Sequence, residues 1–183
     1  MLRTIASLIL LLTAAFGQCQ LYSPRPGQTV LKLEIEGRGN VYILLHTKEA
    51  PKTSAHIATL VKKAFYDGQR FHRVERNPKP FLVQIGDPTS RTGAIGDAGG
   101  TGSGARIPFE LTKFKNVVGA VGLCRNFDDK DSGDSQFYIL LDRSSFLDGN
   151  YSVFGQVVVG LDVIKKIQLG DRLVAATIMA GTP

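Results

Sequence analysis

The chain of 183 residues contains no tryptophan, two methionines, two cysteines and three histidines. Two cysteines cannot build the disulfide framework on which small stapled domains depend, so stability must come from an apolar core. His46, His56 and His72 stand far apart, with no H-E-x-x-H zinc motif and no G-x-S-x-G elbow. Ser144, Ser145 and Asp148 have no evident base beside them and read as turn residues. No apolar run approaches the roughly 20 residues of a membrane-spanning helix, which excludes a transmembrane segment. The formal charge is +6 and the pI near 9.4. Yet the cations are scattered, without basic runs interleaved with aromatics, helix-turn-helix pattern or zinc-finger spacing, so the excess reads as a solvated surface and not as a nucleic-acid footprint.

Two richer segments also fail as ligand sites. The Gly-rich stretch 92–104 lacks the Gly-Lys-Ser/Thr ending of a phosphate loop. The acidic run from Asp128 to Asp134 has its oxygens and its glycine out of calcium-loop order, and no Glu closes it. Neither a metal nor a cofactor is expected.

Met1-Leu2-Arg3 is a short basic start, Ile5 to Ala15 is apolar apart from Ser7 and Thr13, and Ala15-Phe16-Gly17 offers the small residues that a signal peptidase reads. Residues 1–17 are therefore predicted to be a secretory signal, and 18–28, with Pro24, Pro26 and Gly27, a flexible leader. Lipoprotein anchoring at Cys19 ranks second, because Gln18 is a poor fit to the small residue that such processing needs. Residues 29–183 remain, enough for one domain with a single core of ordinary size.

Within that span the hydrophobic period is mostly two. Thr29 to Glu36 and Val41 to His46 read as strands around a turn at Gly37 to Asn40, and further strands are expected near 70–75, 81–86, 117–124, 136–141, 152–159 and 173–179. Two segments change to helical spacing. Ala50 to Phe65 carries Ile57, Leu60, Val61 and Ala64 at helical intervals with Pro51 in the first turn, and Leu161 to Gln168 carries Val163, Ile164 and Ile167. Strands this numerous fit a mainly β fold, a closed antiparallel eight-stranded β-barrel capped by two α-helices.

Four segments hold the chemistry. Phe71-His72-Arg73 and Phe81-Leu82-Val83-Gln84-Ile85-Gly86-Asp87 set one cation and one amide among large apolar groups, and Gly133-Asp134-Ser135-Gln136-Phe137-Tyr138 and Phe146-Leu147-Asp148-Gly149 follow. If 70–75 is extended, Phe71 shares a face with Arg73, and His72 with Val74; next, Phe81 groups with Val83 and Ile85, and Leu82 with Gln84. Taken alone, an Arg–Gln pair could equally be a buried pair that satisfies itself. All four segments, in this order and spacing, resemble the cyclophilins, the family of peptidyl-prolyl cis-trans isomerases, over roughly residues 29 to 180.

The resemblance implies a cyclophilin-like fold and catalysis of X-Pro isomerisation in protein folding. That rotation meets a barrier of about 18–20 kcal/mol and needs no nucleophile. It needs an apolar socket for the proline ring and donors that favour the twisted amide, whose nitrogen has become pyramidal. An arginine fork suits the task, since a charge-assisted bond strengthens where water is excluded. Arg73 is thus the expected catalytic group. By resemblance Phe81, Leu82, Tyr138 and Leu147 line or support the proline pocket, Gln84 helps Arg73 bond the substrate backbone, Gln136 belongs to the same site, and Gly93 marks a rim position. Cys124, Arg125 and Asn126 match a stretch that usually reads Ala-Asn-Ala and meets substrate largely through backbone groups. Cys124 is expected to be a small wall residue and not a reactive thiol. Phe146 stands where many members have Trp, Tyr151 at a pocket-edge His and Ile85 at a common Gly, while loops 74–80 and 127–133 are longer than usual. These departures bear on inhibitor sensitivity and substrate preference more than on the reaction. The expectation is an exported, periplasmic monomer acting on proline-containing polypeptides; the alternative is a holdase of the same fold that grips proline segments with little turnover.

Overall fold

The computed structural model describes residues 22–182. The expected signal at 1–17, Cys19 and the first part of the leader lie outside the described residues. A hairpin of β1 (Thr29–Ile35) and β2 (Gly39–Leu45) leads to α1 (Pro51–Lys62), then β3 (Arg73–Glu75) and β4 (Leu82–Ile85). After the Gly-rich segment come β5 (Ala120–Leu123), β6 (Phe137–Leu140), β7 (Val153–Val159), α2 (Leu161–Lys166) and β8 (Leu173–Ala180). All eight strands form one antiparallel sheet of order β3-β4-β6-β5-β7-β2-β1-β8. Among the described residues no helix is long and apolar enough to cross a membrane.

Strand number, pairing and the two helices match the expectation, but the sheet is a curled half-barrel with β3 and β8 at its ends. No ladder joins them: Arg70 and Arg172 form an isolated bridge, and the Phe71 N–H donates to the Asp171 carbonyl. β3 offers only three residues to a partner.

The strand period sorts side chains into two cores. Val83 and Ile85 of β4 join Phe137 and Ile139 of β6, Phe154 and Ile57 in the main core, whereas Leu82, Tyr138 and Leu140 enter a smaller cluster with Leu147 and Val153 on the opposite face. Every residue of β4, β5 and β6 is buried, as in central strands covered on both sides. Each large apolar side chain so placed contributes roughly 1.5–3 kcal/mol. The smaller cluster is the foundation of the site.

Two face assignments need correction. Phe71 is fully buried in the main core while the Arg73 side chain is 46% exposed, so the two do not share a face. The chain changes backbone partner between them: Phe71 bonds Asp171, His72 bonds Gln84, and regular pairing begins only at Arg73. Phe81, just outside β4, packs on the smaller cluster and not with Val83 and Ile85.

Helix α1 is also shorter than its pattern. Ala64 turns into the left-handed region with φ 53, its N–H bonding the Val61 carbonyl while that of Phe65 bonds Leu60, a reverse pair that closes the helix. At the other end no local side chain caps it. Glu110, remote in sequence, accepts from the Lys52 and Thr53 amides at 2.9 and 2.8 Å and from the Thr53 hydroxyl at 2.7 Å, supplying the anionic acceptor that a helix start favours.

Candidate active site

The floor of the site is an aromatic ring laid on a glycine. Tyr138 of β6 is the register partner of Gly122 of β5, and a Cβ at 122 would stand 2.1 Å from the phenol. The Tyr138 hydroxyl donates to Asn116 Oδ1 at 2.7 Å, and Asn116 donates through its backbone N–H and its Nδ2 to Asp148 Oδ1, at 2.7 and 3.1 Å. Burial pushes the Tyr138 phenol well up, which keeps it a donor. Asp148 is held below the usual carboxylate range, chiefly by the Asn116 backbone donor.

Over this floor Leu82, Leu147, Phe81 and Tyr151 close an apolar cavity of about 290 Å³. Tyr151 meets Tyr138 edge-on at 5.8 Å, and Phe146, 69% exposed, lies at the mouth 5.7 Å from the Phe81 ring. Arg73 and Gln84 form its polar edge. Arg73 Nε donates to Glu75 Oε1 at 2.8 Å and Nη1 to Gln84 Oε1 at 3.2 Å, so the guanidinium is braced from two sides. Gln84 Nε2 donates to Gln136 Oε1 at 2.8 Å, and Gln136 Nε2 to the carbonyls of Gly99 and Thr101, at 3.0 and 2.7 Å.

Cys124 and Arg125 line the same cavity. Arg125 lies 4.7 Å over the Tyr151 ring and donates to the carbonyls of Asn150, Asn126 and Phe127 at 3.0, 2.8 and 2.6 Å. Its side chain thus ties two loops together. Burial pushes the Cys124 thiol well up against the opposing pull of Arg73, leaving it protonated. His72 is buried beside the rim; burial lowers its pKa, with Asp87 opposing, which favours the neutral ring.

An adjoining cavity of about 310 Å³ shares Gln84, Cys124 and Arg125 and adds Asn126, Gln136 and the rim residues Gly99 to Gly102. Gly93 lines neither cavity: its N–H bonds Thr89 and its carbonyl accepts from Arg70, so the rim lies six positions further along the loop than expected. Sequence reasoning missed Asn116, Gly122, Asp87 and the rim carbonyls. Asp87-Pro88-Thr89 has the form of a capping turn and could have signalled Asp87. Nothing local marks Asn116 or Thr101, whose partners are remote.

An apolar socket edged by a braced cationic fork suits rotation about an imide bond and requires no nucleophile. Among the described residues no group of His, Cys, Asp and Glu is placed to hold a metal.

Comparison with known proteins agrees with this geometry. The family model described as cyclophilin type peptidyl-prolyl cis-trans isomerase matches residues 30–179. A probable peptidyl-prolyl cis-trans isomerase of Brucella suis is 34% identical, covering 92% of this chain and 91% of that protein. A peptidyl-prolyl cis-trans isomerase of Schizosaccharomyces pombe is 37% identical over 72% of this chain and 80% of its own length. Among solved structures, a cyclophilin from Hirschia baltica superposes with a TM-score of 0.68 at 23% identity, covering 82% of this chain and 76% of that one. A cyclophilin-type isomerase of Cryptosporidium parvum superposes with a TM-score of 0.69 at 20% identity, covering 85% and 99%. With its fold, its socket and its relatives in agreement, the chain belongs to the cyclophilin-type peptidyl-prolyl cis-trans isomerases.

Proposed function

We propose that the proline ring of a polypeptide enters the cavity over Tyr138 and that Arg73 donates to the amide as it twists, with Gln84 holding the guanidinium in place. The observation that carries this is the placement of Arg73 and Gln84 at the edge of an otherwise apolar socket. The donors of Arg73 need only meet an amide nitrogen whose lone pair is freed by rotation, so they act on the transition state more than on either ground state. Phe81, Leu82, Leu147, Phe146 and Tyr151 would hold the ring and its neighbours, and Cys124, Arg125 and Asn126 the chain beside it. Gln136 would face the preceding residues.

Export to the periplasm is part of the same reading, supported by the basic start, apolar run and small residues of the N-terminal sequence. So are a monomeric state and a barrel closed between β3 and β8, the latter supported by the bonds linking Gly68 and Phe71 to Leu173 and Asp171.

The test is the isomerisation rate of an Ala-Pro peptide. Arg73→Ala is expected to lose most of the rate while keeping the fold. Equal rates in parent and variant contradict the role of Arg73; peptide binding without turnover in the parent favours the holdase.

A further inference from the structure

The hydrogen bonds that brace Arg73 do not end in its pocket. They run through Gln84 and Gln136 to the carbonyls of Gly99 and Thr101, and that short piece of backbone is itself held by a buried carboxylate. Asp87 is fully buried. Its Oδ1 accepts from the Thr89 amide at 2.8 Å and from the Thr89 and Thr101 hydroxyls at 2.6 and 2.5 Å, and its Oδ2 from the Gly99 and Thr101 amides at 2.6 and 2.9 Å. Two of the three residues whose N–H groups bind Asp87, Gly99 and Thr101, are thus the two whose carbonyls bind Gln136.

This arrangement sets a direction. Backbone carbonyls only accept, so Gln136 must turn its NH₂ toward Gly99 and Thr101 and its oxygen toward Gln84. Gln84 must then present its NH₂ to Gln136, which leaves its oxygen to face Arg73. Reversing either amide would bring two donors or two acceptors together, a mismatch at a part-buried site where Gln84 itself is buried.

We propose that Asp87 is a positioning residue for the isomerase reaction: by fixing the Gly99–Thr101 rim it dictates the orientation of Gln136 and Gln84 and, through them, the aim of the Arg73 guanidinium. The inference rests on the proposed role of Arg73, yet its orienting half can be tested separately. It also gives the rim a catalytic consequence beyond shaping the adjoining cavity.

Asp87→Asn preserves size but sets an NH₂ against either the Thr89 amide and the two hydroxyls or the two rim amides, so part of the cradle is lost. The expected result is a fall in kcat on an Ala-Pro peptide of about tenfold, the scale on which a small misplacement far from the chemistry acts, with KM changed less than about twofold. The ¹⁵N-resolved signals of Arg73 Nε and of the Gln84 and Gln136 side-chain amides are expected to move. In a Gln136→Met background, where the chain is already cut, Asp87→Asn is expected to add no further loss. Thr101→Val removes one hydroxyl and spares both rim amide bonds, and is expected to give a smaller change in the same direction if Asp87→Asn does not fold. A folded Asp87→Asn or Thr101→Val protein with unchanged kcat and unmoved signals overturns the proposal, as does a full additional loss in the Gln136→Met background. Should Arg73→Ala retain the parent rate, the role of Arg73 fails, while the amide signals still decide whether Asp87 orients the chain.

Discussion

Tyr138 and Gly122 face each other across the β5–β6 pair, and the phenol ring fills the volume in which any side chain at 122 would begin. The floor of the socket therefore depends on the absence of a single carbon atom.

Gly122→Ala is expected to displace the Tyr138 ring, because backbone on a buried central strand cannot yield as a flexible side-chain tip can. Overpacking of this kind costs about 1–3 kcal/mol in stability. Since Tyr138 lines the pocket, affinity for a proline peptide should fall about tenfold or more, the equivalent of about 1.4 kcal/mol. Calorimetric titration and urea unfolding of the same sample check both.

Asp148→Ala removes the acceptor that holds two donors of the fully buried Asn116, which in turn holds the Tyr138 hydroxyl. Leaving buried donors unpaired costs about 1–3 kcal/mol. The expected outcome is lower stability by that amount and a severalfold higher KM, with a smaller effect on kcat, because Arg73 and its braces are separate from this chain. Steady-state kinetics distinguish the two parameters.

Ala64→Gly is expected to stabilise the protein by about 1 kcal/mol, since Ala64 holds a left-handed conformation, φ 53, that costs an L-residue and not glycine. Thermal unfolding checks it; a lower midpoint would mean that the Ala64 methyl group contributes packing that outweighs the backbone cost.

The same residue explains what was legible in the sequence. Pro51 and the spacing of Ile57, Leu60 and Val61 announce where α1 starts and which face it buries, but Ala64 is a good helix former, and the reverse bonds that stop the helix before it are invisible in the pattern. Strand positions were readable because the alternation of Val83 and Ile85 against Leu82 and Gln84 is imposed by two cores. Where the chain switches partner, at Phe71 to Arg73, alternation misleads. The apolar socket residues were legible through their motifs. The rim was not, because its partners, Asp87 and Gln136, lie 12 to 37 residues from Gly99 and Thr101.

Acid should reveal the Asp87 cradle. Burial alone would raise its pKa, but the Thr101 and Thr89 hydroxyls and the Thr101 and Gly99 amides outweigh it and hold the carboxyl well below its ordinary value of 3.8. A depressed folded pKa adds stability that is complete above the unfolded value and is lost as pH falls through the folded one. The stability gap between parent and Asp87→Asn is therefore expected to stay constant from about pH 7 to about pH 5 and to shrink below about pH 4. Urea unfolding across that range checks the sign, and a gap that widens on acidification would contradict it.

The central role given to Arg73 is tested most directly by two-dimensional exchange NMR of an Ala-Pro peptide with the parent and with Arg73→Ala, each at a concentration giving equal peptide occupancy. The parent should produce strong cis–trans exchange peaks, and the variant should bind the peptide yet exchange it at least about tenfold more slowly, as loss of a transition-state donor requires. Exchange peaks of equal strength at equal occupancy would contradict the account.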